Sequence, residues 1–265
     1  MVSELPTKSR LIVLGASNVT RGLVPLLHVA RQTIGSPLDF VVAAGHGRSY
    51  NWETRVAIRR LCGILHCQLW EDLKTAPPSP TTALLTDIGN DILYGATPSQ
   101  ISSWVEECLA RLAPHCDRLI VTQLPLSSFR EVGQARFLAF RTLLFPFTRL
   151  QLGEALARAE EVNQRVSELA ARYHARLVLP TRSWYGFDPI HVRPRFHEAA
   201  WRTILAPKEN SDEGATNRFP REPFAPLHAL RMLLLPPAAR KLFGVSQHRA
   251  QPAARWNDGT TIALY

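Results

Sequence analysis

The feature that most constrains the fold is a series of short apolar runs that alternate with segments of helical period. The runs are rich in valine, isoleucine and leucine and are nearly continuous, which is typical of strands covered on both faces of a parallel sheet. They lie at 10–15, 39–45, 81–89, 117–125 and 175–180. Because strands and helices alternate, the sequence predicts a three-layer α/β/α sandwich around a five-stranded, mostly parallel sheet.

Helical period marks the segments between and after these runs. The predicted helices lie at 20–34, 51–73, 97–115, 152–174 and 194–206. Asn51 is expected to cap the second of them, and Thr97 followed by Pro98 predicts the start of the third.

The texture of the chain changes after Ala206. Residues 207–226 are polar and contain prolines, which predicts a linker, and residues 227–245 form an apolar helical piece broken by prolines. A turn is expected at Asp258–Gly259. We therefore expect one domain over 1–206 and a C-terminal extension over 207–265. The extension is expected to pack on the domain, with weak contact to a membrane surface as the alternative.

Charge and cysteine usage exclude several classes. The net charge is +9 and the pI about 9.9, but the arginines are scattered among acids and apolar residues, so no nucleic-acid partner is expected. The sequence contains neither a secretory pattern nor a membrane-length apolar run, so a cytoplasmic protein is expected. The four cysteines lack paired spacing, which favours free thiols over a metal site or disulfides.

Polar and glycine residues follow the predicted strands. They are Gly15–Asn18 after the first run, Gly45–Ser49 after the second, Gly89–Asp91 after the third, and Asp188 with His191 after the fifth. Because the carboxyl ends of parallel strands meet at one edge of a sheet, we expect all four sets to converge there.

The converging residues suit nucleophilic catalysis. Ser17, on a tight turn into a helix, is the candidate nucleophile, and it needs a base with a group that orients the base. His191 and Asp188, three residues apart, can supply both. Gly45 can bring a backbone N–H close, and Asn90 can donate its amide, so that these two and the N–H of Ser17 form a candidate oxyanion hole.

These residues resemble the SGNH hydrolases, also called the GDSL esterase/lipase family. The matching blocks are Gly15-Ala16-Ser17, Gly45, Gly89-Asn90-Asp91, and Asp188-Pro189-Ile190-His191. The sequence departs from the family at Ala16, where an aspartate is usual, and at Ile88, where a glycine is usual. The resemblance covers about residues 8 to 206 and implies a flavodoxin-like fold with Ser17 as nucleophile, His191 as base and Asp188 as its partner.

The resemblance also implies a function. It is hydrolysis of small to medium acyl esters, with no metal and no cofactor, on a small-molecule ester or an acylated carbohydrate. His46, Trp184 and Tyr185 are candidate substrate contacts. An O-acyltransferase or carbohydrate acetylesterase using the same triad, and a non-catalytic binding protein on the same fold, stay open as alternatives, as does the oligomeric state.

Overall fold

The computed structural model of the protein describes residues 8–144, 148–207, 232 and 234–265. The strands are β1 (Ser9–Leu14), β2 (Leu38–Ala43), β3 (Thr54–Val56), β4 (Arg59–Leu61), β5 (Thr81–Leu85), β6 (Arg118–Thr122), β7 (Arg176–Val178), β8 (Ala239–Leu242), β9 (Val245–His248), β10 (Ala254–Arg255) and β11 (Thr261–Leu264). In the described part of the chain they form a seven-stranded sheet, in the order β10-β11-β2-β1-β5-β6-β7, and a four-stranded sheet, in the order β3-β4-β8-β9.

Helices cover both faces of the larger sheet. They are α1 (Ser17–Arg21), α2 (Leu23–Thr33), α3 (Leu69–Thr75), α4 (Asn90–Leu93), α5 (Pro98–Leu112), α6 (Leu126–Phe129), α7 (Gln134–Leu144), α8 (Leu152–Arg172) and α9 (His197–Leu205). The α2 and α9 helices pack together on one face, and α5 and α8 on the other. As predicted, α5 begins at Thr97 with Pro98, and Thr97 and Gln100 cap each other's backbone N–H groups.

The five predicted parallel strands are confirmed, and burial explains their continuous apolar runs. Consecutive residues of β1 enter different cores: Leu11 and Val13 pack with α2 and α9, whereas Ile12 and Leu14 pack with α5 and α8. Every second side chain points to the same face of a strand, so a strand covered on both faces has no polar side. The three-layer α/β/α architecture follows from this double burial.

The sheet is larger than the predicted five strands because the C-terminal residues join it. The β11 strand pairs parallel with β2, with Ile262 opposite Phe40, and β10 pairs antiparallel with β11. The turn expected at Asp258–Gly259 connects them, with the Gly259 N–H donated to the Trp256 carbonyl. Residues near the end of the sequence therefore extend the sheet beyond β2.

The predicted helix over 51–73 is wrong in its first half. Residues 54–61 form the antiparallel β3–β4 hairpin, whose turn includes Ala57 in the left-handed region at φ +52°. Only Leu69–Thr75 is α-helical. Pairing of β4 with β8, from a distant part of the chain, stabilises the hairpin, and no local pattern reports such a partner.

The expectations for the extension are partly corrected. The predicted linker at 207–226 lies outside the described residues apart from Pro207, as do residues 227–231 and 233 of the apolar helical piece. Residues 239–242 form β8 and residues 245–248 form β9, so the helical prediction for 227–245 is wrong over residues 239–242. Met232 is buried in the cluster of α2 and α9.

Candidate active site

The segment of the candidate nucleophile Ser17, which we call the nucleophile segment, is a tight turn between β1 and α1. A Cβ at Gly15 would clash with Val19 Cγ2 and would lie 3.0 Å from Thr86 Cγ2, so only glycine fits there. The helix then begins at Ser17, whose side chain is nearly buried at 8% exposure. The turn thus presents the hydroxyl at the carboxyl edge of the sheet.

His191 connects Ser17 to Asp188. The Ser17 Oγ lies 2.8 Å from His191 Nε2, and His191 Nδ1 lies 2.6 Å from Asp188 Oδ2. The backbone N–H groups of Ile190 and His191 both donate to Asp188 Oδ1 at 3.2 Å, which fixes the carboxylate in its own turn. A continuous hydrogen-bond chain therefore runs from carboxylate to imidazole to hydroxyl.

The surroundings of Asp188 favour the ionised form of its carboxylate. Burial raises the pKa of Asp188, but the hydrogen bond and charge of His191 and the two backbone N–H groups outweigh it, so the pKa lies below its ordinary value. An ionised carboxylate on Nδ1 keeps the proton on that nitrogen and leaves Nε2 to accept the hydroxyl proton.

A second network, which sequence reasoning missed, holds the nucleophile segment against the histidine loop. The Asp87 Oδ2 accepts the backbone N–H groups of Ala16 at 2.8 Å and Asn18 at 3.0 Å, and Oδ1 accepts the Asn18 side-chain amide at 2.7 Å. Asn18 also donates to the Ile190 carbonyl at 3.0 Å and accepts the Val192 N–H at 2.8 Å. Asn18 and Asp87 therefore position Ser17 relative to His191.

The position of Asp87 bears on Ala16, where the sequence departs from the pattern of the resembled family. The run at 81–89 was predicted as one strand, but β5 ends at Leu85 and Asp87 lies in the following turn at φ +57°. Its carboxylate sits beside the segment where Ala16 replaces the usual aspartate. The signal that could have marked this position is the acid within the apolar run at 81–89, which indicates that the strand ends before it.

Asn90 and Gly45, the candidate oxyanion-hole donors other than Ser17, follow the ends of different strands. Asn90 begins α4, and its Nδ2 is buried without a hydrogen-bond partner among the described residues. Gly45 is buried in the loop after β2, where a Cβ would overlap Leu61 Cδ1. Asn90 thus carries an unused donor among the described residues, and a side chain at Gly45 would have to displace the end of the Leu61 side chain. Asp91 instead faces away, with Oδ2 accepting the Tyr50 N–H at 2.9 Å.

An apolar cavity of about 110 Å³ opens beside Ser17. Its apolar walls come from α4, α6, α8, α9 and the segments after β6 and β7, and include Ile92, Leu93, Leu124, Leu126, Phe129, Ala159, Trp201 and Ile204. Asn90 lines it too, and so does His197, whose buried Nε2 has no partner in the described part of the chain. The cavity can hold an apolar group of a molecule that is bound at the Ser17 hydroxyl.

The three candidate substrate contacts occupy different positions. Trp184 and Tyr185 line the cavity, but they are buried at 6% and 5% exposure and belong to the core cluster of α2 and α9. His46 is exposed and lies outside the cavity. The structure brings the aromatic pair to the wall of the cavity and leaves His46 outside it.

Other expectations concern metals, thiols and membranes. Over the described ranges, no group of three or more His, Cys, Asp or Glu side chains could hold a metal ion, and Cys62, Cys67, Cys108 and Cys116 are free. Burial raises the pKa of the Cys67 and Cys108 thiols. Among the helices that the structure describes, none is long and apolar enough to cross a membrane.

Comparison with known proteins finds similarity in fold. A solved carbohydrate acetylesterase family member from Sinorhizobium meliloti is 15% identical with a TM-score of 0.51, over 74% of this chain and 95% of that chain. Est24, a carbohydrate acetylesterase from the same organism, is 12% identical with a TM-score of 0.52, over 74% of this chain and 97% of that one. No protein-family model matches the sequence, and no curated protein does.

Proposed function

This chain has the fold of the SGNH hydrolases, and from that premise we propose that it is a serine ester hydrolase that forms an acyl-enzyme on Ser17. The observation that carries the proposal is the position of His191, 2.8 Å from the Ser17 hydroxyl and 2.6 Å from the Asp188 carboxylate. A non-catalytic binding protein has no need of this alignment at a cavity.

In the proposed mechanism, His191 removes the proton of Ser17 as the hydroxyl oxygen attacks the ester carbonyl carbon. Negative charge then develops on the carbonyl oxygen, and the N–H groups of Ser17, Gly45 and Asn90 stabilise it. His191 returns the proton to the departing alcohol. Water repeats the sequence on the acyl-enzyme and releases the acid.

The apolar cavity supports the choice of substrate class. Its volume of about 110 Å³ and its aliphatic and aromatic walls suit the acyl chain of a small to medium ester. The fold shared with two carbohydrate acetylesterases adds acetylated sugars to the substrates worth testing. Fold analogy alone does not choose among them.

Hydrolysis of a 4-nitrophenyl ester series, from acetate to decanoate, tests the proposal. The wild-type protein should hydrolyse the shorter members, and Ser17→Ala should lose that activity by several orders of magnitude. Ser99→Ala, an exposed serine in the first turn of α5, is the matched control and should keep full activity.

Covalent trapping identifies the nucleophile directly. A 4-nitrophenyl alkylphosphonate should add one phosphonyl group to the wild-type protein, and peptide mass spectrometry should place it on Ser17. Equal ester hydrolysis by the wild-type protein and Ser17→Ala, or a phosphonyl group on another residue, would refute the mechanism.

A further inference from the structure

The β3–β4 hairpin covers the loop that carries Gly45. Leu61 of the hairpin touches the space above Gly45, and Val56 Cγ2 lies 3.0 Å from where a Cβ of Gly47 would be. The Arg59 Nη2 lies 3.6 Å from the corresponding Cβ position at Gly45. A guanidinium group from the four-stranded sheet is therefore placed beside one of the proposed oxyanion donors.

The β3–β4 hairpin carries two neighbouring arginines, Arg59 and Arg60, whose side chains have different surroundings. Strand alternation puts Arg59 and Leu61 on the face toward the loop and Arg60 on the opposite face. There Arg60 Nη1 and Lys241 Nζ each lie 3.3 Å from a carboxylate oxygen of Glu53, so this acid is paired with two other cations. Within the described residues the side chain of Arg59 forms no ion pair or hydrogen bond, although it is only partly exposed.

A second cation, Arg21, lies beside Asp188, the hydrogen-bond partner of His191. The Arg21 Nη1 lies 3.9 Å from Asp188 Oδ2, at the outer limit of an ion pair, and its side chain is 44% exposed. Partial burial lowers the pKa of His46, and the positive charges of Arg59, Arg21 and His191 lower it further, so these groups lie near its imidazole. Burial also lowers the pKa of Arg59, with Arg48 and Arg240 adding to the effect.

The acids near these cations are already engaged. Asp188 binds His191, and Asp87 binds backbone N–H groups of the nucleophile segment. Asp91 is buried against the Tyr50 N–H. The mouth formed by Arg21, His46 and Arg59, which we call the cationic mouth, therefore has excess positive charge and a guanidinium with free donors.

We infer that the cationic mouth binds an anionic group, a carboxylate or a phosphate, carried on the alcohol half of the ester. This inference rests on the proposed function. The acyl half stays bound to Ser17 and occupies the apolar cavity. The alcohol half takes its proton from His191 and leaves on the side of Arg21 and His46. A guanidinium offers paired N–H donors that match carboxylate and phosphate oxygens.

Esters that share one acyl group test the inference. 4-(Butyryloxy)benzoate carries a carboxylate on the alcohol half, 4-(butyryloxy)benzamide is its neutral counterpart, and 4-(butyryloxy)phenyl phosphate distinguishes phosphate from carboxylate recognition. Wild-type kcat/KM should favour an anionic ester over the amide by roughly tenfold, as one charge-assisted contact allows. Added salt at about 0.5 M should reduce that ratio.

Arg59→Gln is the decisive variant, and Arg60→Gln, its neighbour on the opposite face, is the matched control. Arg59→Gln should bring the anionic-to-neutral ratio of kcat/KM close to one. Arg60→Gln should keep the wild-type ratio. A wild-type ratio of one, or a preference that survives in Arg59→Gln, would overturn the inference, as would a preference seen only with 4-nitrophenyl hemisuccinate, whose charge is on the acyl half.

A binding measurement separates this inference from the proposed function. Titration of 4-hydroxybenzoate and 4-hydroxybenzamide into Ser17→Ala, in which hydrolysis plays no part, should show tighter binding of the anion by roughly tenfold. The Ser17→Ala/Arg59→Gln double variant should lose that difference. Hydrolysis of neutral esters without an anion preference would overturn only the cationic mouth; selective anion binding without hydrolysis by the wild-type protein would overturn only the esterase.

Discussion

Asn18 links the segment of Ser17 to the loop of His191, and Asn18→Asp tests that link with almost no change of shape. In the wild-type protein the Asn18 amide nitrogen donates to Asp87 at 2.7 Å and to the Ile190 carbonyl at 3.0 Å. The substitution replaces this donor by a carboxylate oxygen that faces two other oxygens. Only the bond from the Val192 N–H to the remaining oxygen is retained.

The magnitude follows from charge repulsion with a limit set by protonation. Two carboxylates that relax to about 4 Å repel by about 4 kcal/mol at an effective dielectric constant of about 20. The pair can escape by binding a proton, which at pH 7 costs about 4 kcal/mol for a group of ordinary pKa near 3.9. Both routes give a loss in the free energy of unfolding of about 4 kcal/mol at neutral pH.

The pH dependence has a defined sign. Repulsion raises the pKa of the pair in the folded protein above its unfolded value, so the folded state holds an extra proton between about pH 4 and pH 7. The deficit of Asn18→Asp is therefore small near pH 4 and grows by about 1.4 kcal/mol per pH unit as the pH rises. Urea unfolding of both proteins at several pH values measures it.

Two further variants make the assay specific. Asn18→Asp/Asp87→Asn restores a donor facing an acceptor, and asparagine tolerates the left-handed backbone of position 87, so the deficit should shrink to about 1 kcal/mol, the value of the bond to Ile190 still missing. Asn257→Asp, in an exposed turn, adds the same charge and should change stability by less than about 0.5 kcal/mol. Ester hydrolysis by Asn18→Asp should fall about a hundredfold as Ser17 and His191 separate. A deficit below about 1 kcal/mol at pH 7, or a double variant no more stable than the single one, would refute the positioning network.

Three other perturbations probe the fold around the site. Burial raises the pKa of Asp91 to about 6, so stability should fall by about 3 kcal/mol as the pH rises from about 4 to about 6 and then level off; Asp91→Asn should lack this fall in urea titrations. Ile262→Ala should lower the free energy of unfolding by about 2–5 kcal/mol, because Ile262 is fully buried in β11, whereas Val245→Ala at 64% exposure should change it by less than about 0.5 kcal/mol in the same chemical unfolding. Gly63→Ala should lower the thermal midpoint by several degrees, since its Cβ would overlap the backbone carbonyl group of Asn51, which has no rotamer to change.

Local signals were sufficient for the central strands and for the residues at their ends. A strand buried on both faces must be apolar at consecutive positions, so the runs that became β1, β2, β5, β6 and β7 were recognisable without knowledge of their partners. The same topology places the carboxyl ends of these strands at one edge. Ser17, Asn90, Asp188 and His191 could therefore be grouped before any distance was known, and the distances among Ser17, His191 and Asp188 agree with that grouping.

The remaining features depend on pairings that sequence periodicity does not encode. The β3–β4 hairpin exists because β8, about 180 residues later, pairs with β4, and β11 is a strand because β2 offers it an edge. Asp87 reaches the segment of Ser17 because β5 ends four residues earlier than its apolar run predicts, which turns the carboxylate toward the N–H groups of Ala16 and Asn18. The sequence by itself thus determined which side chains share the active edge, since that depends on strand order and direction. Only the tertiary structure decided which contacts hold that edge together, since Asn18 is hydrogen-bonded to Asp87 and Ile190, which are distant from it along the chain.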